Sequence, residues 1–125
     1  MKFSKTVSSK KRNSRKKQYN ADSNEKRIIM SSRIDESFRK KYISKTTPLR
    51  KGDEVKIMRG VQKGKIGKIV QCSRKRIFIY INSVTYKKRN GDEAYLPIHP
   101  SNVQIQKLTL IGDRKLRLRA NFAEI

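Results

Sequence analysis

The middle of the chain, residues 48–111, is organised in short runs in which apolar and polar positions alternate. Alternation with a period of two predicts β-strands, because successive side chains of a strand point to opposite faces. Asn90-Gly91 predicts a hairpin turn, since both residues tolerate positive φ. Five or six short strands in about 60 residues are typical of a mainly β domain folded as a small barrel. The predicted strands cover residues 55–57, 66–70, 76–81, 84–86, 94–98 and 103–108.

Apolar residues at helical spacing precede this region, in residues 22–43. Asp22, or the serine after it, is suited to cap a first short helix. Ile34, Phe38 and Tyr42 recur every four residues after a second capping signature, and they predict a second helix. This spacing favours docking of the aromatic face against the β domain over stacking on bases.

The two ends of the chain are basic and poor in apolar residues. Residues 1–20 hold 8 basic residues and no acid, so we expect them to be disordered alone in water. Asp113, which follows a glycine, is suited to cap a short basic helix. We therefore predict a basic extension with two short helices over 1–47, the β domain over 48–111 and a basic tail with a short helix over 112–125.

The formal net charge is +23, from 33 Lys and Arg against 10 Asp and Glu. Such an excess destabilises a compact chain by self-repulsion unless an anionic partner neutralises it, and nucleic acid is the leading candidate. The excess is shared, since residues 1–47 contribute +11 and residues 48–111 contribute +10. That division favours a protein surrounded by folded RNA over a protein with a single basic patch.

Other classes of protein find little support in the sequence. One cysteine and one histidine make no ligand set for a zinc site, and no apolar run reaches the roughly 18–20 residues of a membrane span. The basic N-terminus lacks the apolar stretch of a secretory signal, which counts against a secreted or membrane-active cationic protein. We expect no metal, no cofactor, no membrane association and no self-association.

The acidic pairs and the single thiol do not suggest catalysis. The pairs lie at 53–54 and 92–93, and adjacent side chains in a strand point to opposite faces. Cys72 and His99 are the one conceivable nucleophile–base pair, and nothing in their separation indicates contact. We expect a buried thiol and no enzymatic activity, and for His99 a local structural role in preference to a contact with RNA.

A loop punctuated by glycines carries the most specific signal, between the first two predicted strands. Gly60, Gly64 and Gly67 allow positive φ and a close approach of a partner to the backbone. A basic turn with exposed amides is suited to hold phosphate, although this one lacks the Gly-Lys-Ser or Gly-Lys-Thr ending of a nucleotide-binding loop. The basic residues of the loop and its flank are Arg59, Lys63, Lys65 and Lys68.

Residues 52–70 resemble a KOW motif. The wider chain resembles the eukaryotic and archaeal form of the universal large-subunit ribosomal protein twenty-four family, called protein twenty-six in eukaryotes. Arg33 departs from the family pattern, which often has proline there. The wider resemblance is carried by Met1-Lys-Phe-Ser, Arg15-Lys-Lys-Gln-Tyr-Asn-Ala21, Ile29-Met-Ser-Ser32, Phe38-Arg-Lys-Lys-Tyr42, Pro48-Leu-Arg-Lys51 and Ile98-His-Pro-Ser-Asn-Val103.

The resemblance implies an SH3-like β-barrel with basic extensions that binds large-subunit ribosomal RNA near its 5′ region. It also implies a part in early subunit assembly, a position near the polypeptide exit tunnel and a place in the cytoplasmic ribosome, with nucleolar assembly in a eukaryote. Neighbouring large-subunit proteins and factors that meet nascent chains are further implied partners. The residues expected to contact RNA are Lys10, Lys11, Arg12, Arg15, Lys16, Lys17, Arg27, Arg59, Gly60, Lys63, Gly64, Lys65, Gly67, Lys68, Arg74 and Lys75.

A second interpretation stays open at this point. KOW motifs also occur in transcription elongation factors, and a nucleic-acid chaperone could use the same basic barrel. Recovery of the protein with RNA polymerase would favour this alternative. Co-sedimentation with large ribosomal subunits after a high-salt wash would favour the ribosomal interpretation.

Overall fold

A computed structural model describes residues 2–42 and 44–114, without the side chains of residues 40–42. The described helices are α1 (Lys11–Asn20), α2 (Ser23–Ile29) and α3 (Glu36–Tyr42), and a 3-10 turn spans Pro100–Asn102. The described strands are β1 (Ser31–Ile34), β2 (Thr46–Pro48), β3 (Glu54–Ile57), β4 (Ile66–Ser73), β5 (Phe78–Lys87), β6 (Glu93–Ile98) and β7 (Val103–Lys107). The fold is therefore mainly β, as predicted.

The seven described strands form one sheet in the order β2-β1-β7-β3-β4-β5-β6. Neighbours pair antiparallel, except that β1 and β7 run parallel. The two end strands, β2 and β6, do not pair with each other in the described part of the chain. The sheet is therefore open there, and the predicted small SH3-like barrel is wrong for this structure. The reason is that β1 occupies the edge of β7 that faces away from β3.

Residues 31–34 form β1, although the sequence pattern placed the start of a helix there. Ile34 is buried in the core and lies opposite Ile105 of β7, while the Ser32 hydroxyl donates to the Val103 carbonyl. The helix begins only at Glu36, as α3. Burial of Ile34 against a distant strand outweighs the local capping signal.

The remainder of the second predicted helix agrees with the structure where its side chains are described. Phe38 is half-buried and packs against the core, as the helical spacing predicted. Asp35 accepts hydrogen bonds from the Ser37 hydroxyl and the Gln104 side chain, each at 2.8 Å, and so fixes the start of α3 to β7. The predicted role of the Tyr42 side chain lies outside the described residues.

The first predicted helix is confirmed, and a further helix precedes it. Asp22 caps α2 by accepting from the Ser23 amide at 2.7 Å. The further helix, α1, was not predicted, since all its residues are exposed and no apolar face marks it. Five of its ten residues are Lys or Arg, which have favourable helix propensity.

The predicted strands 76–81 and 84–86 are one strand, β5. Its start is displaced because Ile77 adopts a positive φ of 57° in the turn before it. The pairing of β5 with β6 shifts register between Tyr80 and Thr85, which explains why the alternation breaks there. The Asn90-Gly91 turn is confirmed, with Gly91 at φ 89° and the Lys88 amide donating to the Asp92 carbonyl at 2.8 Å.

A buried ion pair joins the residue before β3 to Arg114, after β7. Asp53 is fully buried just before β3, and Arg114 is 4% exposed. The two terminal guanidinium nitrogens of Arg114 donate to the two carboxylate oxygens of Asp53 at 2.6 and 2.9 Å. Asp113 and Arg114 are helical, and the rest of the predicted C-terminal helix lies outside the described residues.

The hydrophobic core packs the strands together and supports the loops that connect them. It draws residues from the C-terminal cap of α2 and from every described strand except β2 and β6, together with two residues between elements. Because both strands of the β3–β4 hairpin contribute buried side chains, the loop between them is held on a packed support. The core residues are Met30, Ile34, Leu49, Val55, Ile57, Ile69, Ile77, Ile79, Ile81, Val84, Val103 and Ile105.

Candidate nucleic-acid interface

Residues 58–65, here called the hairpin loop, connect β3 to β4. The Ile57 amide donates to the Lys65 carbonyl at 2.9 Å, and the Gly64 amide donates to the Ile57 carbonyl at 2.8 Å. Gly60 and Gly64 have φ values of 95° and 91°, which L side chains adopt only with strain. The glycines are therefore required by the turn itself, and the turn fixes where its basic residues stand.

The hairpin loop presents its cations to solvent. In the part of the chain that the structure describes, the ion pairs are Asp53 with Arg114 and Glu36 with Arg39, so no carboxylate neutralises the loop. Exposed cations on a backbone of fixed shape can bind phosphates without first breaking internal ion pairs. The exposed cations of the loop and its flank are Arg59, Lys63, Lys65 and Lys68.

Gly67 differs from the other two glycines of the motif, because it lies in β4 and not in the turn. A Cβ atom there would lie 2.6 Å from the Asn82 side-chain oxygen and 2.6 Å from Ile81 Cγ2. The same Asn82 oxygen accepts the Lys68 amide at 3.0 Å. Close packing of β4 on β5 therefore explains the glycine, and its expected RNA contact stays a prediction.

The basic N-terminal residues predicted to contact RNA lie on and beside α1. Every residue from Ser9 to Asn20 is exposed, and no acidic residue stands in the first turn of the helix. The cations consequently project into solvent without a covering element. They are Lys10, Lys11, Arg12, Arg15, Lys16 and Lys17.

A cleft of about 860 Å³, here called the basic cleft, lies between the end of α2 and β4. It brings the predicted residues Arg27 and Arg74 together with Arg50 and Lys51, which the sequence reasoning missed. The Nε atom of Arg27 is buried and lacks a hydrogen-bond partner in the described structure. Lys75 is exposed in the turn after β4, outside the lining of this cleft. The apolar part of the lining includes Met30, Leu49 and Cys72.

The structure separates the groups that a catalytic site would need to combine. Cys72 lines the basic cleft, whereas His99 lines a different cleft beside the hairpin loop. Burial, together with the negative charge of Asp53, raises the pKa of the Cys72 thiol, against the opposing charges of Arg74 and Arg114. His99 caps the 3-10 turn by accepting from the Ser101 amide at 3.3 Å, which is the local role expected of it.

The acidic residues of the two pairs also lie in different environments. Asp53 is used by the buried ion pair, and Asp92 and Glu93 are exposed at the β5–β6 turn. Among the described residues, no group of three His, Cys, Asp or Glu side chains is placed to hold a metal ion. No helix in the described ranges is long and apolar enough to cross a membrane.

Comparison with known proteins places these features in a family. The sequence model of the family described as ribosomal proteins, L26 in eukaryotes and L24 in archaea, matches residues 8–120. The chain belongs to this family. The L26/L24 family is structural and not enzymatic.

Three relatives illustrate the similarity, and each is named large ribosomal subunit protein uL24. The protein of Littorina littorea is 45% identical over 116 residues, which cover 92% of this chain and 81% of the relative. That of Caenorhabditis elegans is 43% identical over 115 residues, or 92% and 81% of the two chains. That of Dictyostelium discoideum is 43% identical over 118 residues, or 94% and 85%.

Proposed function

We propose that the chain is a structural constituent of the large subunit of the cytoplasmic ribosome and binds large-subunit ribosomal RNA through the hairpin loop, the basic cleft and α1. The observation that carries this proposal is the set of exposed cations on the glycine-dependent turn of the hairpin loop, none of them neutralised within the described residues. Membership in the L26/L24 family supports the same proposal.

The mechanism is recognition of phosphate positions. The packed sheet holds the hairpin loop in one shape, so its cations match a fixed pattern of phosphates on folded RNA. The exposed α1 segment has no internal partner to lose and can enter a crevice between RNA segments. One chain would then tie together RNA segments that are distant in the RNA sequence.

The residues of the interface are those predicted from the sequence, with two additions. Arg50 and Lys51 join Arg27 and Arg74 because all four line the basic cleft. A cleft with four cations and apolar walls is suited to hold a strand of RNA by its phosphates, with the sugars against the walls. The hairpin loop is proposed to act as the KOW motif that its sequence resembles.

We further propose that the protein joins the subunit early in assembly and lies near the polypeptide exit tunnel. Its neighbours there would be other large-subunit proteins and factors that meet the nascent chain, and in a eukaryote assembly would take place in the nucleolus. Both statements rest on family membership. Protein–protein crosslinking in intact subunits tests the position, and pulse-labelling of assembly intermediates tests the order.

Charge reversal in the hairpin loop and its flank tests the RNA interface. The variant carries Lys63→Glu, Lys65→Glu and Lys68→Glu, and the probe is a transcript of the 5′ region of large-subunit ribosomal RNA. We expect its affinity to fall by at least about tenfold at low salt, because three phosphate contacts become repulsive. Unchanged affinity would refute the loop assignment.

A matched control separates a local effect from a loss of net charge. The control carries Lys87→Glu, Lys88→Glu and Arg89→Glu, three exposed cations at the β5–β6 turn. The two variants have equal net charge. If both lose affinity equally, binding reflects total charge, and the hairpin loop is not a specific interface.

A further inference from the structure

A cleft of about 320 Å³ lies beside the hairpin loop and shares no lining residue with the basic cleft. Ile57, Val84 and Leu96 contribute apolar walls, and Arg59 and Val61 stand on its loop side. A volume of this size falls at the lower end of the roughly 300–1,000 Å³ typical of small-molecule sites. We call it the base cleft.

Two rings line the base cleft at nearly right angles. The ring centroids of Phe78 and His99 are 6.3 Å apart, with an angle of 85° between the ring planes. His99 Nδ1 lies 3.3 Å from the Ser101 amide and 2.8 Å from the Ser101 hydroxyl, so contacts within the 3-10 turn hold the ring in place. His99 therefore adds a fixed aromatic surface, with nitrogen atoms at its edge, to the wall of the cleft.

Two amide side chains complete the lining. Gln62, from the hairpin loop, and Asn102, from the 3-10 turn, both line the base cleft and are half-buried. Each carries donors and an acceptor, which is the combination that reads the edge of a base. Apolar walls, rings and amides together match a flat heteroaromatic group with polar edges.

We propose that the base cleft receives one unstacked nucleobase of RNA, while Arg59 and the loop lysines hold the phosphates on either side of it. This inference rests on the proposed RNA-binding function and adds a specific subsite to it. Charge favours RNA over an apolar peptide as the occupant, because the adjoining loop is cationic and uncompensated within the described residues. Val61, fully exposed on the loop side, is placed to contact the neighbouring nucleotide.

Two single-stranded probes with equal numbers of phosphates test this inference on the full chain. One is a uridine decamer, whose bases stack little on each other, and the other is a decamer of abasic ribonucleotides. We expect the uridine decamer to bind roughly 5-fold to 150-fold more tightly, which is the usual contribution of one stacked base. Equal affinities would overturn the base cleft and leave phosphate binding intact. Failure of both strands to bind at low salt would overturn the proposed RNA-binding function as well.

Substitutions in the cleft test whether the preference for bases arises there. The cleft variant carries Phe78→Leu, which keeps an apolar wall, and His99→Asn, which keeps a side chain able to cap the 3-10 turn. The control carries Tyr86→Leu and Tyr95→Asn, which remove two exposed rings of β5 and β6 outside the cleft lining. We expect only the cleft variant to bind both decamers with the same affinity. Loss of the preference in the control alone would overturn the assignment.

A measurement on the unaltered protein does not depend on how the variants fold. Ribosomal RNA containing 4-thiouridine is bound and irradiated, and the crosslinked peptides are mapped. Crosslinks at Phe78 or His99 support the base cleft, whereas crosslinks confined to the lysines of the hairpin loop overturn it. In assembled subunits, a photoreactive group can be placed at the exposed position Pro97, which lines the cleft. If that group captures a neighbouring protein and no RNA, the base cleft is overturned too, since a protein side chain would then occupy it.

Discussion

The carboxylate of Asp53 and the guanidinium of Arg114 form a two-pronged ion pair that is almost completely shielded from water. Asp53 also accepts the Arg50 and Thr109 amides at 2.9 and 3.0 Å. Arg114 donates in addition to the Pro48 carbonyl at 2.9 Å. The pair therefore joins the end of β2, the start of β3 and the segment after β7 at one point.

Removal of one partner of this pair should destabilise the protein strongly. Arg114→Ala leaves the buried Asp53 charge uncompensated, so we expect the free energy of unfolding to fall by about 3–5 kcal/mol. Urea denaturation measures the change. Glu36→Ala is the control, since it removes an exposed carboxylate that pairs weakly with Arg39 at 3.9 Å, and it should cost less than about 1 kcal/mol. A loss below about 1 kcal/mol for Arg114→Ala would contradict a structural role for the pair.

The glycines of the loop motif should respond differently to the same substitutions. Gly67→Ala forces a methyl group against Asn82 and Ile81 and should cost about 1–3 kcal/mol, and Gly67→Asn should cost more because the added group is larger. At Gly64 the space is open and only positive φ matters, so Asn should be tolerated better than Ala. Thermal unfolding of the four variants measures whether Ala or Asn is better tolerated at each position. We expect Ala at Gly67 and Asn at Gly64, and the same preference at both positions would contradict this.

The salt dependence of RNA binding should count the contacts of the hairpin loop and its flank. Neutralisation by Lys63→Gln, Lys65→Gln and Lys68→Gln should lower the slope of log affinity against log salt concentration by roughly 2–3, at about 0.7–0.9 for each phosphate lost. Titrations at several salt concentrations with the 5′ ribosomal RNA transcript measure the slope. An unchanged slope would mean that these lysines do not contact phosphates.

Cys72 should react slowly with thiol reagents in the folded protein. Because burial raises its pKa, less thiolate is present at a given pH, and the curve of rate against pH shifts to higher pH than for a free thiol. Because its pKa is raised in the folded state, the folded protein favours the protonated thiol. The folded protein therefore loses stability as the pH rises from the ordinary thiol pKa through the raised one. Iodoacetamide labelling across alkaline pH, with and without urea, measures the shift. Equal rates in both conditions would contradict it.

The parts of the fold that were predicted correctly are specified by nearby residues. The Asp22 cap, the alternation in β3 and the Asn90-Gly91 turn each depend on a few consecutive positions. By contrast, β1 exists because it pairs with a strand about 70 residues further along, as the Ser32–Val103 hydrogen bond shows. No local pattern encodes that pairing. The open sheet followed from the same contact and was missed for the same reason.

The candidate interface also contains parts that were predicted from neighbouring residues and parts that were missed. The hairpin loop was predicted from the sequence because its glycines and cations are neighbours along the chain. The basic cleft was found only in part, since Arg27 and Arg74 meet Arg50 and Lys51 through the packing of α2 against the sheet. The base cleft was missed, because its rings and amides come from separate elements of the fold. Only His99 gave an advance signal, because contact with RNA was the alternative role considered for it.

The place of β7 in the sheet determines when the protein can finish folding during its own synthesis. β7 is the strand that joins β1 and β2 to β3, although it is the last strand in the described chain order. Until residues 103–107 have been translated, the N-terminal strands have no partner in the rest of the sheet. The hairpin loop can therefore form early, from local contacts, while the seven described strands assemble into one sheet only after residues 103–107 have been made.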